Sequence, residues 1–295
     1  MRENGPVTSA TRQPETPAAT LPPRLIATDL DGTLLRDDKS VSERTVAALA
    51  AAEEAGIEVF FVTGRPARWM DVVSDHVHGH GLAICGNGAA VVDLHGGPGA
   101  HRFVKVRELA RENALDAVRL VREAAPGTVF AVEQTYGFYQ EPAYPKLHME
   151  IPDTLASAEK LLAPDAPGAG EPVLKILAFH HELDPDAFLT VARDAVGDRA
   201  TITRSSPSAL LEISGPGVSK ASTLELCCAE RGISPAEVVA FGDMPNDVEM
   251  LTWAGTSYAM GNAHPAVIAA ASGRTVANNE DGVAVVIEKI LAERL

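Results

Sequence analysis

Short apolar runs alternate with helical segments at the start of this chain, and this alternation restricts its fold more than any other feature. RLIATDL (24–30), IEVFFVT (57–63) and LAIC (82–85) each have the length and composition of a fully buried strand. Helix signals lie between them, with Ser42 as an N-cap and Gly56 as a stop. Repeated β–α–β units with buried strands predict an α/β fold whose parallel sheet is covered on both faces.

The same alternation returns near the C-terminus. A helix is predicted from about Val218 to Glu230, followed by the strands EVVAF (237–241) and TSYAM (256–260) and a last helix from Asp281. The middle of the chain differs, because its strands, such as VLKILAFH (173–180), have mixed polarity. We therefore predict an α+β domain inserted into a parallel α/β core.

Composition and charge exclude several classes of protein. A chain of 295 residues, 46% of them hydrophobic, can bury a sizeable core and favours two domains over one. A net charge of −15 without a cluster of Lys and Arg argues against a nucleic-acid partner. A small anionic substrate is still allowed, because a bound cation can make the electrostatic potential positive at its site. No run approaches the roughly 18 consecutive apolar residues of a membrane helix, so no membrane partner is expected.

Cysteines, histidines and the N-terminus add further expectations. Cys85, Cys227 and Cys228 are odd in number and lack disulfide or zinc-site spacing, which favours a reduced, cytoplasmic setting. Residues 1–23 have no apolar signal-peptide region, and their Pro, Thr and Ala content predicts a disordered leader. For the three histidines of HVHGH (76–80) we favour a solvated loop over a zinc site, since nothing nearby completes a ligand set.

Polar residues follow the predicted core strands in four places. They are Asp29 and Asp31 after the first strand, Thr63 after the second, Lys220 at a helix start, and Asp243, Asn246 and Asp247 after EVVAF. One such group alone could be a turn, because Asp forms turns readily. Ligands of open parallel sheets bind beyond the carboxyl ends of the strands, so the convergence of four groups indicates a site.

The chemistry of these groups narrows the function. Two carboxylates about 4 Å apart repel by about 4 kcal/mol at an effective dielectric of about 20, so the site needs a divalent cation or must protonate. Oxygen ligands without nearby His or Cys favour magnesium, which typically also binds substrate phosphate. A lysine, a threonine hydroxyl and an asparagine amide would supply donors to that phosphate. The combination favours phosphoryl transfer.

Four segments resemble the motifs of the haloacid dehalogenase-like (HAD) phosphatases, and within them the Cof-type sugar-phosphatase branch. In motif order they are DLDGTL (29–34), VTGRP (62–66), GVSKASTL (217–224) and FGDMPNDVEML (241–251). The resemblance covers nearly all of the chain after residue 23. One departure is Ala221, where the family often has glycine after the lysine; since alanine is a good helix former, we expect no loss of the site.

The resemblance implies a Rossmann-like parallel-sheet HAD core with an inserted α+β cap domain. The core would comprise residues 24–88 and 208–295, and the cap residues 89–207. The cap would close over the phosphate site, exclude water and recognise the leaving group. Its hinges are expected near Gly86–Gly88 and Ser205–Ser208, where small residues can absorb a backbone change.

The resemblance also implies a role for each polar residue. Asp29 would be the nucleophile that forms an aspartyl-phosphate, and Asp31 would protonate the leaving oxygen and then activate the hydrolytic water. Magnesium (Mg²⁺) would be held by the Asp29 carboxylate, the Asp31 backbone carbonyl and the Asp243 carboxylate. The phosphoryl oxygens would be bound by Thr63, Lys220 and Asn246. Asp247 would orient a metal-bound water or the lysine. The candidate substrate contacts are Arg65 and Asn87.

The leading prediction is a magnesium-dependent hydrolase of small phosphate monoesters, which are sugar phosphates or related phosphorylated metabolites. A phosphomutase, or a phosphatase dedicated to a flavin or pyridoxal phosphate precursor, would have similar core motifs. A non-catalytic metabolite-binding protein is a more remote alternative, because Asp31 and Lys220 are both intact. The sequence leaves the oligomeric state open between monomer and homodimer.

Overall fold

The computed structural model describes residues 21–74, 81–146, 152–206 and 208–294. Residues 1–20 of the expected leader and the histidine segment 76–80 lie outside this range. The strands are β1 (Leu25–Thr28), β2 (Glu58–Val62), β3 (Leu82–Cys85), β4 (Ala90–Asp93), β5 (Arg102–Val106), β6 (Val129–Gln134), β7 (Phe138–Gln140), β8 (Thr154–Leu155), β9 (Val173–Phe179), β10 (Thr201–Thr203), β11 (Leu210–Ser214), β12 (Val238–Gly242), β13 (Thr256–Ala259) and β14 (Gly273–Arg274). The helices are α1 (Glu43–Glu54), α2 (Asp71–Ser74), α3 (Arg111–Ala124), α4 (Ala158–Leu161), α5 (Pro185–Val196), α6 (Lys220–Glu230), α7 (Val248–Trp253), α8 (Pro265–Ala270) and α9 (Gly282–Ala292).

The first sheet has, within the described residues, eight strands in the order β14-β13-β12-β1-β2-β3-β4-β5. Its strands from β14 to β3 run parallel, whereas β4 and β5 pair antiparallel. At the centre of the sheet, Thr28 at the end of β1 pairs with Phe61 of β2 on one side and with Phe241 of β12 on the other. Because these three parallel strands end at the same level, the residues that follow them emerge together at one edge of the sheet.

Helices cover both faces of this sheet, as the buried strands predicted. Phe60 and Phe61 are adjacent on β2 and point to opposite faces, since side chains alternate along a strand. Phe61 lies in a buried cluster with Leu49 of α1, and Phe60 lies in another with Leu224 of α6. The N-cap predicted at Ser42 is confirmed, because its Oγ accepts a hydrogen bond from the Thr45 backbone N–H at 3.0 Å.

The second sheet has the order β10-β11-β9-β6-β7-β8 within the described ranges, and all its pairings except β7 with β8 are antiparallel. Helices α3, α4 and α5 cover one face, where Val118 and Phe188 pack against Ile176 of β9. The opposite face carries Lys175 and Leu177 toward a cavity. This is the α+β insertion that the mixed-polarity strands predicted.

The chain crosses from the first sheet to the second and later returns. Both crossings lie C-terminal to the domain boundaries predicted at residues 89 and 208. β4 and β5, residues 90–106, continue the first sheet, whereas β11, residues 210–214, pairs with β9 in the second. Consequently, Gly86–Gly88 lies between two strands of the first sheet, and Ser205–Ser208 lies between two strands of the second. The chain crosses between the sheets at 107–110 and 215–219 instead. Strand composition cannot reveal this, because it does not specify which neighbour a strand will pair with.

Cys85, Cys227 and Cys228 are buried and form no disulfide. They pack in the core clusters of the first sheet. None of the helices in the described part of the chain has the length and apolar character needed to cross a bilayer.

Candidate active site

Lys220 is the centre of a buried charge cluster at the carboxyl edge of the first sheet. It is the first residue of α6, whose start is fixed because Ser219 and Ser222 cap each other reciprocally. Its Nζ lies 2.6 Å from Asp29 Oδ1 and 2.6 Å from Asp247 Oδ1. The side chain is only 1% exposed, so both ion pairs are shielded from solvent.

Asp247 organises the turn that follows β12. Its Oδ2 accepts hydrogen bonds from the backbone N–H groups of Asp243 and Met244, both at 3.0 Å, while its Oδ1 faces Lys220. A Cβ at Gly242 would lie 2.5 Å from the Asp247 Cβ, so only glycine allows this approach. Both oxygens of Asp247 are therefore engaged in holding the turn and the lysine.

Asp243 meets the loop that follows β1. Its Oδ1 accepts a hydrogen bond from Thr33 Oγ at 2.9 Å. Gly32 has a left-handed φ of +76°, and a Cβ there would lie 2.3 Å from Asp243 Oδ2. The DLDGT loop and the GDMPND turn are distant in sequence but fit against each other only because glycine occupies this position.

Three carboxylates converge on this cluster. One oxygen from each of Asp29, Asp243 and Asp247 lies within 4.8 Å of the others, and all three residues are buried. Burial raises the pKa of Asp29 well above its ordinary value, and the attraction of Lys220 offsets only part of this shift. Burial together with the charge of Asp247 raises the pKa of Asp243 to about 7. One ammonium thus faces more negative charge than it can neutralise.

The donor set of the cluster fits a hard divalent cation. All the ligand atoms on offer are carboxylate oxygens, and neither His nor Cys joins Asp29, Asp243 and Asp247 among the described residues. A cation would also relieve the repulsion that raises the pKa of Asp29 and of Asp243. Burial alone would lower the pKa of Lys220, but the charges of Asp247 and Asp29 outweigh it, so the lysine stays charged.

Asp31 points away from the three carboxylates and into a different ion-pair network. Its Oδ2 accepts from Arg65 Nε at 2.6 Å, and its Oδ1 accepts from Arg65 Nη2 at 2.7 Å and from Lys39 Nζ at 2.8 Å. Burial would raise the pKa of Asp31, but the hydrogen bonds from Arg65 and Lys39 outweigh it and lower the pKa to about 2. The Asp31 carboxylate is therefore ionised in this conformation.

The predicted phosphate-binding residues occupy the same edge of the sheet. Thr63 is 1% exposed, and its Oγ accepts from the Arg65 backbone N–H at 3.1 Å. Asn246 Nδ2 donates to Asn87 Oδ1 at 2.9 Å. Asn87 is buried in a left-handed conformation with φ of 55° and is not one of the described residues that line the cavity. Its side chain contacts Asn246, and a direct contact between Asn87 and substrate stays a prediction.

A cavity of about 820 Å³ lies between the two sheets. The first sheet contributes Asp29, Asp31, Thr63, Arg65 and Asn246 to its walls, and the second contributes Phe138, Lys175, Leu177, Leu210 and Glu212. Arg68 crosses between the two walls with a forked ion pair to Glu133 of β6, in which Nη2 lies 3.0 Å from Oε2. The charge cluster and the second sheet therefore enclose one space.

Sequence reasoning missed several residues of this cavity. Lys39 was overlooked because it lies in an exposed polar turn that resembles any surface loop. Lys175 and Glu212 carried a usable signal, because each is a charged residue inside an apolar strand run, VLKILAF and LLEIS. A charge at such a position must be paired when it is buried, and both are.

Residues 26–287 match the family model of the haloacid dehalogenase-like hydrolases. The YxeH protein of Bacillus subtilis is 30% identical over 284 residues, which are 91% of this chain and 98% of that protein. The 5-amino-6-(5-phospho-D-ribitylamino)uracil phosphatase YitU of B. subtilis is 29% identical over 269 residues, or 89% of this chain and 95% of YitU. A solved haloacid dehalogenase-like hydrolase from B. subtilis superposes with a TM-score of 0.75 at 25% identity, covering 90% of this chain and 99% of that one.

Proposed function

Since this chain belongs to the haloacid dehalogenase-like hydrolases and is a phosphatase of that family, we propose that it hydrolyses small phosphate monoesters with Mg²⁺ through a phosphorylated Asp29. The observation that carries this proposal is the position of Asp29. Its carboxylate lies in the lining of the cavity, bound by Lys220 and close to the carboxylates of Asp243 and Asp247. The family relationship supports the reaction class, and the charge cluster supports the metal.

The nucleophile is held by one of its two oxygens. Lys220 Nζ binds Asp29 Oδ1, and no described residue donates a hydrogen bond to Oδ2, which leaves that oxygen for attack on phosphorus. Asp29 Oδ2 forms the new bond to phosphorus as the ester oxygen departs, and water later cleaves the acyl phosphate to restore the carboxylate. Lys220 stays charged in this arrangement and stabilises the additional negative charge of the phosphoryl group.

Asp31 is the residue that would exchange protons with the leaving oxygen and the water. It lines the cavity two residues after Asp29, with its side chain 42% exposed. Arg65 and Lys39 hold it in the ionised form in this conformation, so it must take up a proton from solvent before it can give one to the leaving oxygen. Ionised again after that transfer, it would accept a proton from the attacking water. Thr63 and Asn246 line the same wall and would donate hydrogen bonds to the phosphoryl oxygens.

The metal would be held by the Asp29 and Asp243 carboxylates and by the Asp31 backbone carbonyl. Mg²⁺ neutralises phosphate charge and orients the transferring group when it is bound. Asp247 would act indirectly, because its oxygens are already engaged by Lys220 and by two backbone N–H groups. Asp243 stays available for the metal, since Thr33 is the one side chain in the described part of the protein that donates to its Oδ1.

Substrate choice would depend on the second sheet, which we propose is the cap. It forms the wall of the cavity that faces the phosphate-binding residues, so the leaving group must contact it. Sugar phosphates or related metabolites are the leading substrates. A phosphate ester of a cofactor precursor is the second candidate, because Trp69, Phe138 and Tyr144 line the cavity and can stack against a planar ring. The name of the relative YitU points to the same chemistry.

Phosphate release from a panel of monoesters tests this proposal. The panel should contain hexose phosphates, pentose phosphates, pyridoxal phosphate and flavin mononucleotide, each measured with Mg²⁺ and with excess chelator. The Asp29→Asn variant, purified in parallel, tests the assignment of the nucleophile. We expect release that requires both Mg²⁺ and Asp29. Release that persists in chelator would exclude the metal, and release that persists in the variant would exclude the nucleophile.

A further inference from the structure

Two charged residues of the second sheet reach a catalytic loop of the first. Lys175 lies on β9 and Glu212 on the neighbouring strand β11. Lys175 Nζ donates to the backbone carbonyl of Gly64 at 2.7 Å and to Glu212 Oε1 at 2.5 Å. A side chain of the second sheet is therefore hydrogen-bonded to the backbone of the loop that follows β2 in the first sheet.

The pair is almost completely buried, with side-chain exposures of 4% for Lys175 and 5% for Glu212. Ser205 Oγ donates to the second oxygen of Glu212 at 2.6 Å. Burial would raise the pKa of Glu212, but the charge of Lys175 outweighs it and holds the pKa below its ordinary value, so the Glu212 carboxylate is ionised. Buried ion pairs are often no more stabilising than apolar side chains of similar size. Stability alone is thus a weak reason for charges here.

The carbonyl that Lys175 binds lies between two residues of the candidate active site. Thr63 precedes Gly64 and would donate to the phosphoryl oxygens, while Arg65 follows it and holds Asp31 in a forked ion pair. The Arg65 backbone N–H also donates back to Thr63 Oγ, so these residues form one compact turn. A shift of the Gly64 peptide would move the Thr63 hydroxyl and the Arg65 guanidinium together.

Glu212 packs against the same turn. A Cβ built on Gly64 would lie 3.4 Å from Glu212 Oε1 and 3.2 Å from Asn87 Oδ1. Asn87 in turn accepts a hydrogen bond from Asn246. The buried pair therefore sits where the Thr63 turn and the Asn87–Asn246 contact meet, and it is the second sheet that supplies it.

We propose that Lys175, oriented by Glu212, is a positioning residue that holds the Thr63–Arg65 turn in its phosphate-binding geometry when the second sheet is docked. This inference rests on the proposed function. It makes turnover depend on the docked cap even for a substrate whose leaving group is too small to need cap contacts. The cap would then contribute to the chemical step as well as to substrate choice.

The test compares two matched double variants. Lys175→Met with Glu212→Gln removes the positioning contact and leaves no unpaired buried charge, whereas Lys175→Met alone would strand Glu212 and could unfold the domain. Arg122→Met with Glu141→Gln is the control, because it removes an ion pair that lies between α3 and the end of β7, with Arg122 37% and Glu141 7% exposed, and that does not reach the first sheet. Both are assayed for Mg²⁺-dependent hydrolysis of p-nitrophenyl phosphate, with Tm measured alongside.

We expect the Lys175/Glu212 double variant to lose roughly 10- to 100-fold in kcat, since a misplacement of about 1 Å can cost that much. KM should change less, and Tm should fall no further than in the control. A wild-type kcat in this variant would overturn the inference while leaving the proposed function intact. The inference is also overturned if the control loses kcat to the same extent, because the loss would then reflect general destabilisation. Absence of hydrolysis by the wild type, both of p-nitrophenyl phosphate and of every ester in the panel above, would instead refute the proposed function, and this inference with it.

Discussion

Lys220 Nζ and Asp29 Oδ1 lie 2.6 Å apart, although 191 residues separate them in the chain. The contact joins the loop after the central strand to the first turn of α6, and it places a positive charge on one oxygen of the candidate nucleophile. The same ammonium binds Asp247, so one buried cation is shared between two carboxylates while Asp243 lies close by. The remaining negative charge is the physical reason to expect a divalent cation.

Replacing Asp29 by Asn should abolish turnover without unfolding the protein. The change removes the attacking carboxylate, and losses of about 10⁴-fold or more are typical when a nucleophile is removed. It also removes one of three repelling carboxylates while Asp247 still neutralises Lys220. We therefore expect phosphate release at background level and a Tm in chelator at least equal to that of the wild type. Turnover near the wild-type rate would contradict the assignment of the nucleophile.

Replacing Lys220 by Met should destabilise the protein in a way that Mg²⁺ partly reverses. Loss of one partner of a buried ion pair costs about 3 kcal/mol or more, because the other charge is left uncompensated. Added Mg²⁺ can take over part of that compensation, so Tm should rise more on adding Mg²⁺ in this variant than in the wild type. Lys105→Met, which breaks a partly exposed pair with Glu230, is the control and should show no such gain. Equal Mg²⁺ responses in all three proteins would argue against a cation at the cluster.

The stability of the metal-free protein should increase as the pH is lowered from about 8 toward 6. Burial and the charge of Asp247 raise the folded-state pKa of Asp243 to about 7, from an ordinary value of 3.8. The folded state thus binds the Asp243 proton more tightly than the unfolded state, so protonation stabilises the fold. This stabilisation is fully present below pH 3.8 and is lost as the pH rises through about 7.

Thermal unfolding in chelator across this range measures the effect. Asp243→Asn should flatten the dependence, since the proton is no longer bound there, and Mg²⁺ should flatten it in the wild type by replacing the proton. Asp198→Asn, at an exposed position, should leave the slope as it is. A variant at Asp243 with the full wild-type slope would show that another group is responsible.

Alanine at Gly32 should reduce activity much more than alanine at Gly56. Both glycines have a left-handed φ, +76° and +77°, so both substitutions cost about 1 kcal/mol in backbone strain. A Cβ at Gly32 would also collide with Asp243 Oδ2 at 2.3 Å, whereas nothing lies within 4 Å of one at Gly56. We expect Gly32→Ala to lower kcat at least about 10-fold through the displaced carboxylate. Similar kcat values in the two folded variants would show that the close approach of Gly32 has no role in the site.

Exchanging residues 107–214 with the same segment of a related phosphatase should move substrate preference and keep the Mg²⁺ requirement. These limits carry the whole second sheet and leave β4 and β5 with the first. An exchange at 89–207 would instead replace two strands of the first sheet and pair the native β11 with a foreign β9, so it should yield less soluble protein. The substrate panel measured on the soluble chimera checks this, and a preference that remained with the core would contradict the role given to the cap.

The sequence alone determined the α/β class, the inserted α+β domain and the principal residues of the candidate site. These are local properties: a buried parallel strand must be apolar, and the polar residues that follow it must emerge at one edge of the sheet. For that reason the sequence predicts that one site contains Asp29, Thr63 and Asp243. Their carboxylates and hydroxyl indicate ligands for a metal and a phosphate.

Only the tertiary structure decided at which residues the chain crosses from one sheet to the other, and what each charged side chain contacts. The membership of β5 and β11 depends on which strands they form hydrogen bonds with, and the composition of a strand does not specify its partners. The pairing of Asp31 with Arg65, and of Lys175 with both Glu212 and the Gly64 carbonyl, likewise depends on distances set by the packing of one sheet against the other. Ion pairs are decided by such distances because their energy depends on separation and burial, which no local pattern specifies.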